Sequence, residues 1–235
     1  SHLKLANKMR AIEAYNEILR ITPSDEKVFT QKILTLETMG QFTNILNEFD
    51  NFKSGLEIID PRIDLLHAEY LVHSSNFPQA MRILSKYQDQ ELSENIIYRG
   101  ILGKVLFGLK RYNQAKPLLE VEYKRDNNSR TALMMYNLYM NLNEKSNVLN
   151  FVNQHLKSSP EDMLLRVIYA EYLFNTDREK SIAEYSKILE LDAKNGIALN
   201  NLAWIFYEKG DYEKALGYID IAVKFHPENN SILDT

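Results

Sequence analysis

No cysteine occurs anywhere in the 235 residues. That absence removes disulfides, thiol catalysis and thiolate metal sites together, and it leaves the compartment open. Tryptophan occurs once, at position 204. Long apolar runs are also missing. The longest, Ile96 to Leu109, is too short to span a bilayer and is interrupted by Arg99 and Lys104, so direct membrane insertion of this segment is not expected. No signal-peptide pattern opens at Ser1-His2-Leu3-Lys4. Neither sign of charge dominates: 28 Lys and Arg stand against 32 Asp and Glu, a net charge of −4. Nothing in that balance favours nucleic acid or an anionic membrane as partner. Locally the charge alternates, from +5 over residues 99–130 to −4 over residues 161–192, as solvated helix faces do.

Apolar residues make up 45% of the chain and charged residues 26%, enough to build a packed core. With 14 Tyr and 10 Phe, that core should be aromatic. A recurring phrase organises it. Ala11, Ile45, Ala80, Ala115, Val148, Ile182 and Ala215 follow one another at intervals of 34, 35, 35, 33, 34 and 33. A steady period with one-residue slips is what helix pairs joined by short loops produce, because loops tolerate insertions that helical cores do not.

The clearest unit shows how each repeat is built. Leu199, Leu202, Ala203 and Phe206 fall on one face of a first helix, and Ala215, Ile219 and Ala222 on one face of a second. Gly210-Asp211 supplies a helix stop followed by an N-cap, and Pro227 closes the unit. Small residues at 203 and 215 let the helices cross closely.

These residues resemble the tetratricopeptide repeat family, whose 34-residue pattern the last unit fills at Leu199, Leu202, Ala203, Phe206, Ala215, Ile219, Ala222 and Pro227. The unit at 96–127 keeps Leu102, Gly103, Leu106, Tyr112, Ala115 and Leu119. The unit at 61–92 keeps Ala68, Leu71, Phe77, Ala80 and Leu84, with His67 in the leucine position. Two units depart from the pattern: Tyr136 takes a small position, and the loop Asn175-Thr176-Asp177 is one residue short. The resemblance implies an all-α, right-handed superhelical solenoid of antiparallel helix pairs. Full repeats are expected at 26–57, 61–92, 96–127, 129–160, 163–193 and 196–227, with partial ones at 1–23 and 230–235. Neither partial unit supplies a polar cap, so the chain is expected to be part of a longer array and to self-associate or fray at its open ends.

Candidate chemistry is sparse. Ser24-x-x-Lys27 has the spacing of a serine nucleophile motif, but neither a Ser-Asp-Asn nor a Lys-Thr-Gly follows, and Ser24 reads as a helix N-cap. His67 and His73 lie six residues apart, about 240° around a helix, so they do not share a metal. His67 reads as a core residue with a satisfied ring nitrogen. Gly100, Gly103 and Gly108 lack the spacing of a phosphate loop. Gly103 fits a helix crossing, while Gly100 and Gly108 have no such account beyond a closely approached groove wall. No catalytic residue, cofactor or metal site is expected.

The working surface is expected on the first helices. In the tetratricopeptide repeat family these line a concave face, and the position after the small residue points into it. That position is Glu69, Lys104, Asn137, Glu171 and Trp204, with Arg62, Asn200, Asn201 and Tyr207 beside it. Polar and aromatic side chains in such a row suit an extended peptide. A clamp for a chaperone C-terminal carboxylate is not assembled, because Glu69 and Glu171 interrupt it. The wording Leu199-Asn-Asn-Leu-Ala-Trp204 and Pro227 to Thr235 is similar to bacterial tetratricopeptide lipoproteins of exopolysaccharide export and PEP-CTERM sorting. That similarity implies a periplasmic or outer-membrane-anchored scaffold, with a lipid-acceptor cysteine upstream; a cytoplasmic location is the alternative. The competing expectation is a substrate-recruiting arm of a multidomain enzyme or signalling protein.

Overall fold

A computed structural model describes residues 2–225. Among the described residues there are thirteen α-helices, two short 3-10 helices and no strand. Helix α1 (His2–Ile21) is followed by six antiparallel pairs: α2 (Glu26–Thr38) with α3 (Phe42–Ser54), α4 (Pro61–His73) with α5 (Phe77–Leu84), and α6 (Ile96–Gly108) with α7 (Tyr112–Arg125). Then come α8 (Ser129–Asn141) with α9 (Lys145–Ser158), α10 (Met163–Phe174) with α11 (Arg178–Leu191), and α12 (Gly196–Glu208) with α13 (Tyr212–Phe225). The 3-10 helices, Ser85–Tyr87 and Glu91–Glu94, lead from α5 to α6. None of the described helices is long and apolar enough to cross a membrane. His226, Pro227 and the helix opening expected at 230–235 lie outside the described residues.

Two compact units divide the chain, one ending at Arg125 and one beginning at Asp126. The first holds an aromatic core in which Phe29 stacks on Phe52 at 3.9 Å and meets Phe49 edge-on at 5.2 Å. A neighbouring core in that unit joins Ala68, Leu71, Ala80, Leu84, Tyr98 and Val105. The second unit packs Ala170, Tyr185, Ile188, Ala198, Leu202 and Ile205 into one cluster that ties α10, α11 and α12 together.

Every first helix starts on an Asp or Asn. Asp25, Asp60, Asn95, Asn128, Asp162 and Asn195 each accept a hydrogen bond from a backbone N–H of the first turn. Such a cap satisfies an otherwise orphaned donor and is worth about 1 kcal/mol. The cap of α2 is therefore Asp25, which accepts from the Val28 N–H at 3.0 Å, and not Ser24. The carboxylate sits at the last non-helical residue, one position beyond the serine.

Five of the six turns inside the pairs carry a left-handed residue: Gly40, Ser75, Lys110, Asn143 and Gly210, with φ between 58° and 79°. In each, the following N–H reaches five residues back, as when Arg111 donates to the Leu106 carbonyl at 2.8 Å and Asp211 to that of Phe206 at 2.9 Å. The sixth turn, Asn175-Thr176-Asp177, has no such residue. Its Asp177 N–H donates to the Leu173 carbonyl only four residues back, at 2.7 Å, which is how a turn one residue short closes.

Packing accounts for all three glycines of α6. A Cβ on Gly103 would lie 3.0 Å from the Leu118 Cβ, so the glycine permits the α6–α7 crossing. A Cβ on Gly100 would lie 2.6 Å from Glu122 Oε2, and one on Gly108 would fall 2.4 Å from the Phe77 ring. Tyr136, in a small position, is buried, and α8 and α9 pack less closely than α10 with α11 or α12 with α13.

Candidate functional site on the first helices

In the first unit the candidate residues Glu69 and Lys104 are engaged with one another. Lys104 Nζ donates to Glu69 Oε1 at 3.0 Å and lies 3.3 Å from Glu122 Oε1. Glu122, on α7, is buried and is gripped by Arg125 at 2.6 Å. The space vacated by a side chain at Gly100 is where its carboxylate sits. His73 Nε2 approaches Glu69 at 3.5 Å. Burial pushes the Glu69 carboxyl up, but hydrogen bonds from His73 and Lys104 and the Lys104 charge outweigh it and hold it down at about 2. Arg62 is exposed and turns back on its own helix start, pairing with Asp60 at 2.6 Å and Glu26 at 3.6 Å. That hydrogen bond holds the Asp60 carboxyl down at about 2.

The row in the second unit is of another kind. Asn137 is half-buried and Glu171 is exposed. Glu171 makes no ion pair among the described residues. Trp204 is 39% exposed and Tyr207 53%, with their rings 6.0 Å apart. Tyr212, across the turn, brings a third exposed ring 5.7 Å from Tyr207. Asn200 and Asn201 are half-buried one turn before Trp204.

Sequence reasoning missed part of this face. Leu34 on α2 continues the row 35 residues before Glu69 and is 41% exposed. Two turns before each row position lies a second one. Here Leu164 on α10 and Ile197 on α12 are about half exposed, as is Ile97 on α6. Shifting the row by seven residues, or two helical turns, would have found them.

Other buried polar groups serve packing. Asp64 is 1% exposed and accepts from Lys53, from Lys86 Nζ at 3.0 Å and from the Tyr87 hydroxyl at 2.8 Å. His67 is buried against the Phe49 ring at 4.6 Å, with Nδ1 2.8 Å from Lys53 Nζ and Nε2 unpartnered. Burial and the Lys53 charge lower its pKa to about 4. In the second unit His155 Nε2 lies 2.9 Å from the helix-capping Asp162. Arg166 spans Glu184 at 2.6 Å and the Pro160 carbonyl at 2.7 Å.

Capped antiparallel helix pairs repeated along the chain define the class of helical-repeat folds. Residues 170–230 match the model of the family described as tetratricopeptide repeat. A TPR repeat-containing protein of Methanocaldococcus jannaschii is 22% identical over 222 residues, which is 94% of this chain and 30% of that protein. The chain thus spans about a third of that relative's length. Among solved structures, the C-terminal part of a TPR repeat-containing protein from Cytophaga hutchinsonii superposes with a TM-score of 0.68 at 14% identity, covering 98% of this chain and 95% of that one. YrrB, described as a TPR protein with an unusual peptide-binding site, gives 0.56 at 18% identity, over 82% of this chain and 96% of its own. The fold is that of the tetratricopeptide solenoids, and it fits a protein-interaction role.

Proposed function

We propose that this chain is a non-catalytic scaffold that holds a peptide segment of a partner protein on the first-helix face of its second unit, with Trp204 as the anchor. The observation that carries this reading is the exposed row Ile197, Trp204 and Tyr207. Seven and three residues apart, they share one face of α12, and Asn200 and Asn201 stand between them. Exposed tryptophan and tyrosine with neighbouring amides supply what an extended segment needs: apolar surface for side chains and hydrogen-bond partners for its backbone. YrrB, similar in fold, is described as binding peptide. Glu69 and Lys104 neutralise each other and act in this reading by stiffening the first unit's face.

The test is affinity capture from source-cell extract, comparing the native chain with an Ile197→Ser, Trp204→Ala, Tyr207→Ala variant of unchanged helicity. A partner held by the native chain and lost by the variant supports the site. A partner held equally by both overturns it.

Two further elements belong to this proposal. The setting is an envelope export or sorting assembly, supported by the wording of the last repeat; recovery of the native protein in the soluble cytoplasmic fraction would contradict it. Self-association is supported by apolar side chains exposed on α1 and α13, including Leu5, Met9, Leu216 and Ile221. Sedimentation as an ideal monomer across concentration would remove it.

A further inference from the structure

We infer that the segment held on α12 carries a lysine or arginine, whose cation is received between the Glu171 carboxylate and the Trp204 ring. The inference rests on the first-helix face of the second unit being the binding surface.

The first unit supplies the template. Glu69 and Lys104 occupy the same position on neighbouring first helices, 35 residues apart, and their side chains meet at 3.0 Å. Side chains in this row are therefore long enough to bridge adjacent repeats. In the second unit Glu171 and Trp204 occupy that same position on α10 and α12, 33 residues apart, and these helices share a core with α11. The carboxylate is present, but the position that holds lysine in the first unit holds an aromatic ring here. A carboxylate with no ion pair among the described residues, at the repeat position that an exposed indole takes on the next first helix, is placed to receive a cation supplied from outside.

Neighbouring charges agree. Six basic side chains of the second unit are paired with other acids: Arg166 and Lys187 with Glu184, Arg178 with Glu208, Lys180 with Asp177, Lys209 with Glu179 and Lys214 with Asp211. The Glu171 charge raises the pKa of the buried Tyr136 and Tyr185 hydroxyls, after the larger effect of their burial. Residues 161–192 carry an excess of four acids, so a cationic segment is drawn to this unit and an acidic one repelled.

The experiment is selection of random linear peptides displayed on phage against the whole chain, against Glu171→Gln, against Glu171→Lys and against Trp204→Ala. The best native binder is then titrated as a fluorescent peptide beside its Lys→Gln or Arg→Gln analogue. The expected results are enrichment of Lys or Arg by the native chain, loss of that enrichment in Glu171→Gln, and preference for acidic peptides in Glu171→Lys. The neutral analogue should bind about fivefold more weakly to the native chain and equally to Glu171→Gln. Peptides that depend on Trp204 but show no basic enrichment would overturn the cation site while leaving the binding face intact. Peptides indifferent to Trp204→Ala would overturn the face itself, and the cation site with it. Glu171 is exposed, so its variants keep the fold, and circular dichroism verifies this.

Discussion

Lys104 and Glu69 form an ion pair at 3.0 Å because both occupy the same position on adjacent first helices, and the lysine also stands 3.3 Å from the buried Glu122. One cation thus serves two carboxylates, with Arg125 holding the second. Removing it leaves Glu122 with one partner in a site shielded from water. Lys104→Met is expected to destabilise the protein by about 2–4 kcal/mol in urea unfolding. Adding Glu122→Gln should recover part of that loss, because the uncompensated charge disappears with it. Glu69 makes the same network acid-sensitive. Its folded pKa of about 2 lies below the ordinary 4.5, so the unfolded chain takes up the proton first. This contribution is present above pH 4.5 and is lost as the pH falls toward 2.

Two glycines in helix interiors should respond to alanine with opposite sign. Gly217 on α13 has nothing within 4 Å of an added Cβ, so Gly217→Ala should gain about 0.5–1 kcal/mol from helix propensity alone. At Gly100 the same methyl would meet Glu122 Oε2 at 2.6 Å and displace the carboxylate from Arg125 and Lys104. Gly100→Ala should therefore cost about 1–3 kcal/mol despite the propensity gain. Thermal unfolding of the two variants side by side decides this, and equal stabilisation would mean that Glu122 repositions without loss.

Lys110 adopts φ 60° in a turn where Gly40 and Gly210 stand in other repeats. A side chain with a Cβ pays about 1 kcal/mol for that conformation. Lys110→Gly should raise stability by up to that amount, less the entropy that glycine adds to the unfolded chain. Asn143, an amide that tolerates the left-handed region, should gain less from the same change. A midpoint for Lys110→Gly at or below that of the parent would show that the turn is not strained.

The period of the sequence made the helix pairs legible because small residues at crossings and turn residues recur through backbone geometry that every repeat shares. The short turn at Asn175 and the crossing at Gly103 were readable for the same reason. Gly100 was not, because its cause is a carboxylate on the next helix, at a position outside the repeat pattern. The caps at Asp25 through Asn195 recur as regularly as the core, yet a pattern written in apolar residues passes over them. On the candidate face, row positions followed from periodicity, but their states did not. Only contact shows that Glu69 and Lys104 are spent on each other while Glu171 and Trp204 stay exposed.

His67 replaces the leucine of the repeat pattern, and its consequence is a dependence on pH. The ring is 2% exposed, stacked on Phe49, and faces Lys53, Lys86 and Asp64. Burial first and then the Lys53 charge lower its pKa to about 4, from the ordinary 6.5. Between these values the unfolded chain binds the proton and the folded one does not, so stability falls as the pH drops from 6.5 to 4 and this group adds no further loss below that. At pH 5 the loss from His67 amounts to about 2 kcal/mol. His67→Leu should flatten the stability profile across that window. The slope is the quantity to compare, since the leucine also removes the acceptor for Lys53 and shifts the absolute value at every pH. Urea denaturation of both proteins from pH 7 to pH 4.5 measures it, and parallel profiles would show that His67 keeps its ordinary pKa in the folded protein.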